Sequence, residues 1–218
     1  MGQSLSGYDL TGLNLSRAVL SDQNLSGTDL RGTNLRGANL SGCNLSESQL
    51  AQSNASEANL RQADLTGCDF SDAHLVQARF FGANLSNADL TVAQMRRVNL
   101  SHSDLSGAQL NGASIKSCTI IGANLVGAKM TEVILDSSNL KNARLDNSDL
   151  SKSSLKRCNL EGSSCQMATL KGCDLSHTNF QGADLTLADL TGSDMTGCLL
   201  LGAKTSWADF TETCFDTT

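Results

Sequence analysis

A large apolar side chain returns at every fifth residue of this 218-residue chain, and the register never slips. Every position whose number is a multiple of five, from Leu5 to Phe215, is apolar except Thr205, and most of them are leucine. An amphipathic helix needs apolar residues about every 3.6 positions and a half-buried strand needs them about every 2. A period of five fits neither, so the chain reads as a stack of short identical units, each burying its central residue against the next.

The rest of the unit follows from the same register. Two residues before the centre the chain is mostly Ala, Ser, Thr or Cys, with exceptions at Gln3, Tyr8, Leu13, Gln23, Val98 and Val133. This second inward position must be small. All 19 glycines fall two residues after a centre, as at Gly32, Gly37 and Gly42, where a residue without Cβ suits a tight corner with positive φ. Asn or Asp often precedes the centre and Ser or Thr often follows it. Both types hydrogen-bond turn backbone, so the unit is a short extended segment and a corner.

The pattern Ala-(Asp/Asn)-Leu-X-X, seen as ANLSG at 38–42, ADLTG at 63–67, ANLSN at 83–87 and ADLTL at 183–187, resembles the pentapeptide repeat family. The resemblance covers essentially the whole chain. It implies an all-β fold, a right-handed quadrilateral parallel β-helix with four pentapeptides per coil, and thus one domain over 1–218. At twenty residues a coil the chain makes about 10 to 11 coils, and at ~4.8 Å between stacked strands the rod is roughly 50 Å long. Each enclosed leucine then contributes about 1.5–3 kcal/mol. Tyr8 and Leu13, bulky in the small slot, are expected to widen and plug the first coil.

Residues that look chemical have structural places in this register. Cys43, Cys68, Cys118, Cys158, Cys173 and Cys198 fall in the small inward slot and Cys165 at a centre, so they read as buried apolar residues. Cys118, Cys158 and Cys198 share a column two coils apart, too far for disulfides, and only Cys214 is placed as an exposed thiol. His74, His102 and His177 fall outward on different coils, without the close pairing zinc needs. The segment GCLLLGAKT at 197–205 misses the phosphate-loop spacing by one residue. A leucine-filled rod has no cavity in which to shield a substrate. The sequence therefore predicts no enzyme, no cofactor and no metal.

A net charge of −6 argues against direct nucleic-acid binding, and no stretch reaches the ~20 apolar residues of a membrane span. MGQSLSGYDL lacks the basic and apolar regions of a secretory signal, and a cytoplasmic location is expected.

Outward residues carry what function there is. In a twenty-residue coil, the face centred on Leu10, Leu30, Leu50 and Phe70 gathers Asp9, Asp29, Asp69, Asp72, Asp89, Asp149, Asp189 and Asp209, with Glu132 and Glu212, against Arg31, Lys129, Lys152 and Lys171. The next face leans basic, with Arg96, Arg97, Lys156 and Arg157. Two functions are weighed. The first is a non-catalytic scaffold presenting an extended surface to an unknown protein partner. The alternative, implied by the family resemblance, is a DNA mimic that binds DNA gyrase or topoisomerase IV and protects against quinolones, with the acidic face as its contact. Departures from that pattern are the lack of any inserted loop, interrupting proline or C-terminal amphipathic helix. Finally, Leu199, Leu201, Trp207, Phe210 and Phe215 are predicted to form an apolar cluster that either closes the ladder or joins two rods in an end-to-end homodimer.

Overall fold

The computed structural model describes residues 4–215; Gln3, one of the small-slot exceptions, lies outside that range. The order of the fold is set by where the backbone N–H groups go, since each must find an acceptor when buried. The unit around Leu30 is representative. The Leu30 N–H donates to the Gln49 carbonyl of the next coil at 2.7 Å and the Gly32 N–H to the Ala51 carbonyl at 3.0 Å. Asn34 donates in the opposite direction, to the Leu13 carbonyl of the coil before at 2.9 Å, while Thr33 closes the corner on the Leu30 carbonyl at 3.2 Å. The fifth donor, the Arg31 N–H, is taken by the Asp29 carboxylate at 3.2 Å. The residue before the centre is so often Asn or Asp because its side chain is that acceptor.

Parallel bridges join each such residue to the one twenty positions on, from Asp9↔Asp29 to Asp194↔Cys214. A coil therefore takes four pentapeptides. The extended part of each side shrinks to a single bridging residue, and no longer strand forms among the described residues. The corner and its flanks consume the rest of the unit. Every residue two after a centre, from Gly7 to Glu212, has φ between +55 and +72°. The left-handed corner is thus obligatory, and non-glycine residues such as Val92, Met167, Leu187 and Trp207 are held there too.

Inside, the central residues from Leu25 to Met195 are buried in one continuous ladder, with the Phe70 and Phe80 rings meeting edge to face at 6.1 Å. The small-slot hydroxyls and thiols donate to central carbonyls: Ser48 to Leu45 at 2.5 Å, Thr178 to Leu155 at 2.7 Å, Cys43 to Leu20 at 2.8 Å. Ser53 and Ser193 are buried without a partner. At Val98, Cys118 and Val133 the corner opens, and the backbone N–H turns to Cys118 Sγ, Ser138 Oγ and Ser153 Oγ of the next coil. The two bulky valines in a slot built for alanine account for two of these openings. Tyr8 and Leu13 stay 57% and 47% exposed, so neither is enclosed as a plug by its coil.

Candidate interaction surface

Nothing in the bore is available for chemistry. Among the cysteines only Cys214 is exposed. Burial pushes the Cys118, Cys158, Cys165 and Cys173 thiols up to about 12 and raises Cys68 well above its ordinary value. These groups are protonated at neutral pH and poor nucleophiles. Among the described residues no group of three or more His, Cys, Asp or Glu converges on a point that could hold a metal. His74, His102 and His177 are exposed. The surface depressions are shallow and open, one of them lined by Arg17, Arg36 and Glu57.

The acidic face is assembled as a column of bridged positions. Asp9 pairs with Asp29 and Asp69 with Asp89, but Gln49, Gln109, Lys129 and Thr169 interrupt the run before Asp149, Asp189 and Asp209. Each of these carboxylates is turned onto its own corner. Asp69 accepts the Ser71 N–H at 2.8 Å and Asp89 the Thr91 N–H at 2.9 Å. Asp149 accepts both the N–H and the hydroxyl of Ser151, at 3.0 and 2.6 Å, and Asp189 and Asp209 hold Thr191 and Thr211 in the same way. The Thr11 N–H holds the Asp9 carboxyl below its usual range, the Arg31 guanidinium does so for Asp29, and the Thr211 hydroxyl and N–H for Asp209. Asp72 stands apart at a left-handed corner, exposed. The carboxylates therefore serve the turns first and present a broken negative stripe second.

At the C-terminal end the Phe210 and Phe215 rings meet at 5.9 Å. Leu199 and Leu201 lie on a neighbouring side, 51% and 79% exposed, and Trp207 projects from a corner at 86% exposure. The five are at one end of the rod, yet only the two phenylalanines share a ring contact, and so exposed a tryptophan covers little of the final coil.

One group escapes a reading of single faces. Arg61 and Arg79 stand on the side centred on Leu60 and Phe80, next to the side bearing Arg96, Arg97 and Lys116. The signal was present as residue type: Arg61, Arg96 and Lys116 stand in a slot most often filled by Ser or Thr, and Arg79 in one most often filled by Asn or Asp.

The geometry defines a class before any comparison: over the described residues, a solid-cored repeat rod that turns its accessible side chains outward. The chain belongs to the pentapeptide repeat family, whose model, described as pentapeptide repeats (8 copies), matches in overlapping segments from 4–42 to 178–216. The fold is accordingly a right-handed β-helix. HetL, a pentapeptide repeat protein involved in heterocyst differentiation regulation in the cyanobacterium Nostoc, superposes with a TM-score of 0.90 at 28% identity, over 93% of this chain and 91% of that one. Trypsin-treated QnrB1, a plasmid-mediated fluoroquinolone resistance protein, shares the fold at a TM-score of 0.56 and 22% identity, over 96% of this chain and 90% of its own. No curated protein matches the sequence significantly.

Proposed function

We propose that the chain is a non-catalytic interaction scaffold working in the cytoplasm, a stiff rod of about 10 to 11 coils that displays side chains to a protein partner. The observation that carries this reading is the filled bore: central and small residues are buried from Leu25 to Met195 and the thiols among them are protonated. Recognition is left to the outward residues. The test is a complex of purified rod and candidate partner, lost on substituting outward residues while circular dichroism is unchanged. A stoichiometric bound metal, or turnover abolished by one outward substitution, overturns the reading.

The second reading is a DNA mimic directed at DNA gyrase or topoisomerase IV, favoured by the bridged carboxylate pairs Asp9/Asp29 and Asp69/Asp89. At ~4.8 Å per coil their spacing is comparable in scale to that of backbone phosphates. A gyrase supercoiling assay with and without a quinolone decides it. Inhibition or drug protection that weakens in Asp69→Asn with Asp89→Asn supports mimicry. No effect at high protein concentration removes it. Asparagine keeps the corner acceptor, as Asn44 does for Ser46 at 3.0 Å, so the variant tests charge rather than folding.

A further inference from the structure

Between Arg61 and Lys116 the charges sort by side. Asp64, Asp69, Asp72, Asp89 and Asp104 all lie on the two adjacent sides centred on Leu65 and Phe70. Arg61, Arg79, Arg96, Arg97 and Lys116 all lie on the other two. One backbone bond between coils joins two of the cations, Arg97 N–H to the Lys116 carbonyl at 3.0 Å; another, Gln77 N–H to the Arg96 carbonyl at 3.0 Å, ties Arg96 to the segment that leads into Arg79. The four arginines are exposed and Lys116 is half-buried. Among the described residues none of the five forms an ion pair; in other coils Arg31, Arg36, Lys141, Arg144, Lys156 and Lys204 do, and Arg17, Lys129, Lys152, Arg157 and Lys171 do not.

Two of these residues also work against the repeat that carries them. Arg79 stands where Asn or Asp would accept the next corner N–H, and a guanidinium has no acceptor to offer. Arg97 is held at φ +59°, a conformation that disfavours any residue with a Cβ. Departures from local rules with no compensating contact mark function rather than folding. On the side of Arg61 and Arg79, Phe81 keeps 40% exposure, its ring meeting that of His102 edge to face at 5.4 Å. Arg61 precedes it by one coil in the same column. An aromatic side chain flanked by arginines is the composition of an interface anchor.

We infer that this ridge is a docking surface for a short acidic polypeptide segment, one apolar side chain of which rests on Phe81. The inference rests on the scaffold reading and names its contact. Arg61 to Lys116 spans a little under three turns of a twenty-residue coil, about 13 Å along the axis, which matches about four extended residues. Carboxylates on that segment would meet the guanidiniums in charge-assisted pairs. A nucleic acid fits less well: so short a patch reaches few phosphates, and affinity for a polyphosphate grows with the number neutralised.

The test uses a fluorescein-labelled peptide of glutamates around one leucine, titrated with the full chain and followed by anisotropy. The comparison variant, Arg96→Ser with Arg97→Gly and Lys116→Thr, restores the repeat's own residues and so favours folding. Binding is expected for the native chain, at least about tenfold weaker in that variant, weaker again in Phe81→Ala, and unchanged in Lys152→Gly with Lys171→Ser, which removes two cations from another side. No binding by the native chain, an equal loss in the Lys152/Lys171 variant, or preferential binding of a DNA oligonucleotide overturns the proposal. A protein partner shown to bind elsewhere on the rod overturns this surface while leaving the scaffold reading standing; turnover or stoichiometric metal strikes the scaffold reading itself.

Discussion

Individual side chains in this rod are judged by a geometry that repeats without change, so a misfit stands out against its own neighbours. Val92 is the sharpest case. It is β-branched and 52% exposed, yet held at φ +59° in a slot where glycine is the commonest residue. Left-handed backbone costs an L-residue about 1–2 kcal/mol, and glycine's greater freedom when unfolded takes back about 0.5–1 kcal/mol. Val92→Gly is therefore expected to stabilise the chain by about 0.5–1 kcal/mol, read as a higher thermal midpoint; a lower midpoint would show that Val92 packs against something essential. Ser53 makes the complementary case from inside. Its hydroxyl is buried without a partner, at a cost of about 1–3 kcal/mol, and the slot takes alanine elsewhere, as at Ala58. Ser53→Ala should raise the midpoint, whereas Ser48→Ala, which removes a made bond to the Leu45 carbonyl, should not.

At the scale of the pentapeptide, stability rests on one acceptor that serves two donors of the same corner. Asp149→Ala strips Ser151 of the partner for its N–H and its hydroxyl and should cost about 1 kcal/mol. Asp149→Asn retains the amide oxygen and should cost less, a difference that urea titration of the two variants resolves. Acid makes the same demand on many corners at once. The carboxyls of Asp9, Asp29, Asp184 and Asp209 are held below the reference value of 3.8 chiefly by hydrogen bonds from Thr11, Arg31, Thr186 and Thr211. Burial pushes Asp174 up, but the bonds from Lys156 and Ser176 outweigh it and its net shift is also downward. Folded values below the unfolded one mean that this stability is complete above 3.8 and is lost as pH falls below it through the folded values. The thermal midpoint is expected to drop in that window, and less steeply with Asp184→Asn and Asp209→Asn combined. A midpoint indifferent to pH there would show that the corners do not depend on ionised acceptors. Most of this unit was legible in the sequence: the fixed Gly, Asn and Leu slots pointed to a short extended segment and a corner, and the resemblance to pentapeptide repeats implied the four-sided coil that stacks them. What was not legible is where a slot's occupant fails it. The opened corners at Val98, Cys118 and Val133 depend on a hydroxyl or thiol twenty residues on, and the grouping of Arg79 with Arg96 and Arg97 shows only once coil neighbours are known.

The rod as a whole has a direction. Central and corner N–H groups point toward the following coil throughout, as Leu185 does to the Lys204 carbonyl at 2.7 Å and Leu190 to Asp209 at 2.8 Å. In the last described coil the same donors, on Leu200, Gly202, Phe210 and Glu212, make no such backbone bond among the described residues. The outer face of that coil also turns small-slot carbonyls outward, of the kind Leu13 offers to the Asn34 N–H, so it presents donors and acceptors together, as any strand edge does. The exposed apolar residues that an end-to-end homodimer would cover at this end are Leu199, Leu201, Trp207 and Phe215. Trp207, at 86% exposure, has the most surface to lose to a partner and the least to lose from its own fold. Trp207→Ser is therefore expected to convert a concentration-dependent dimer into a monomer in sedimentation equilibrium, with circular dichroism and thermal midpoint at high dilution unchanged. A dimer that survives the substitution would shift the junction to another surface, and a fall in the midpoint of the diluted monomer would show that the tryptophan closes its own coil instead.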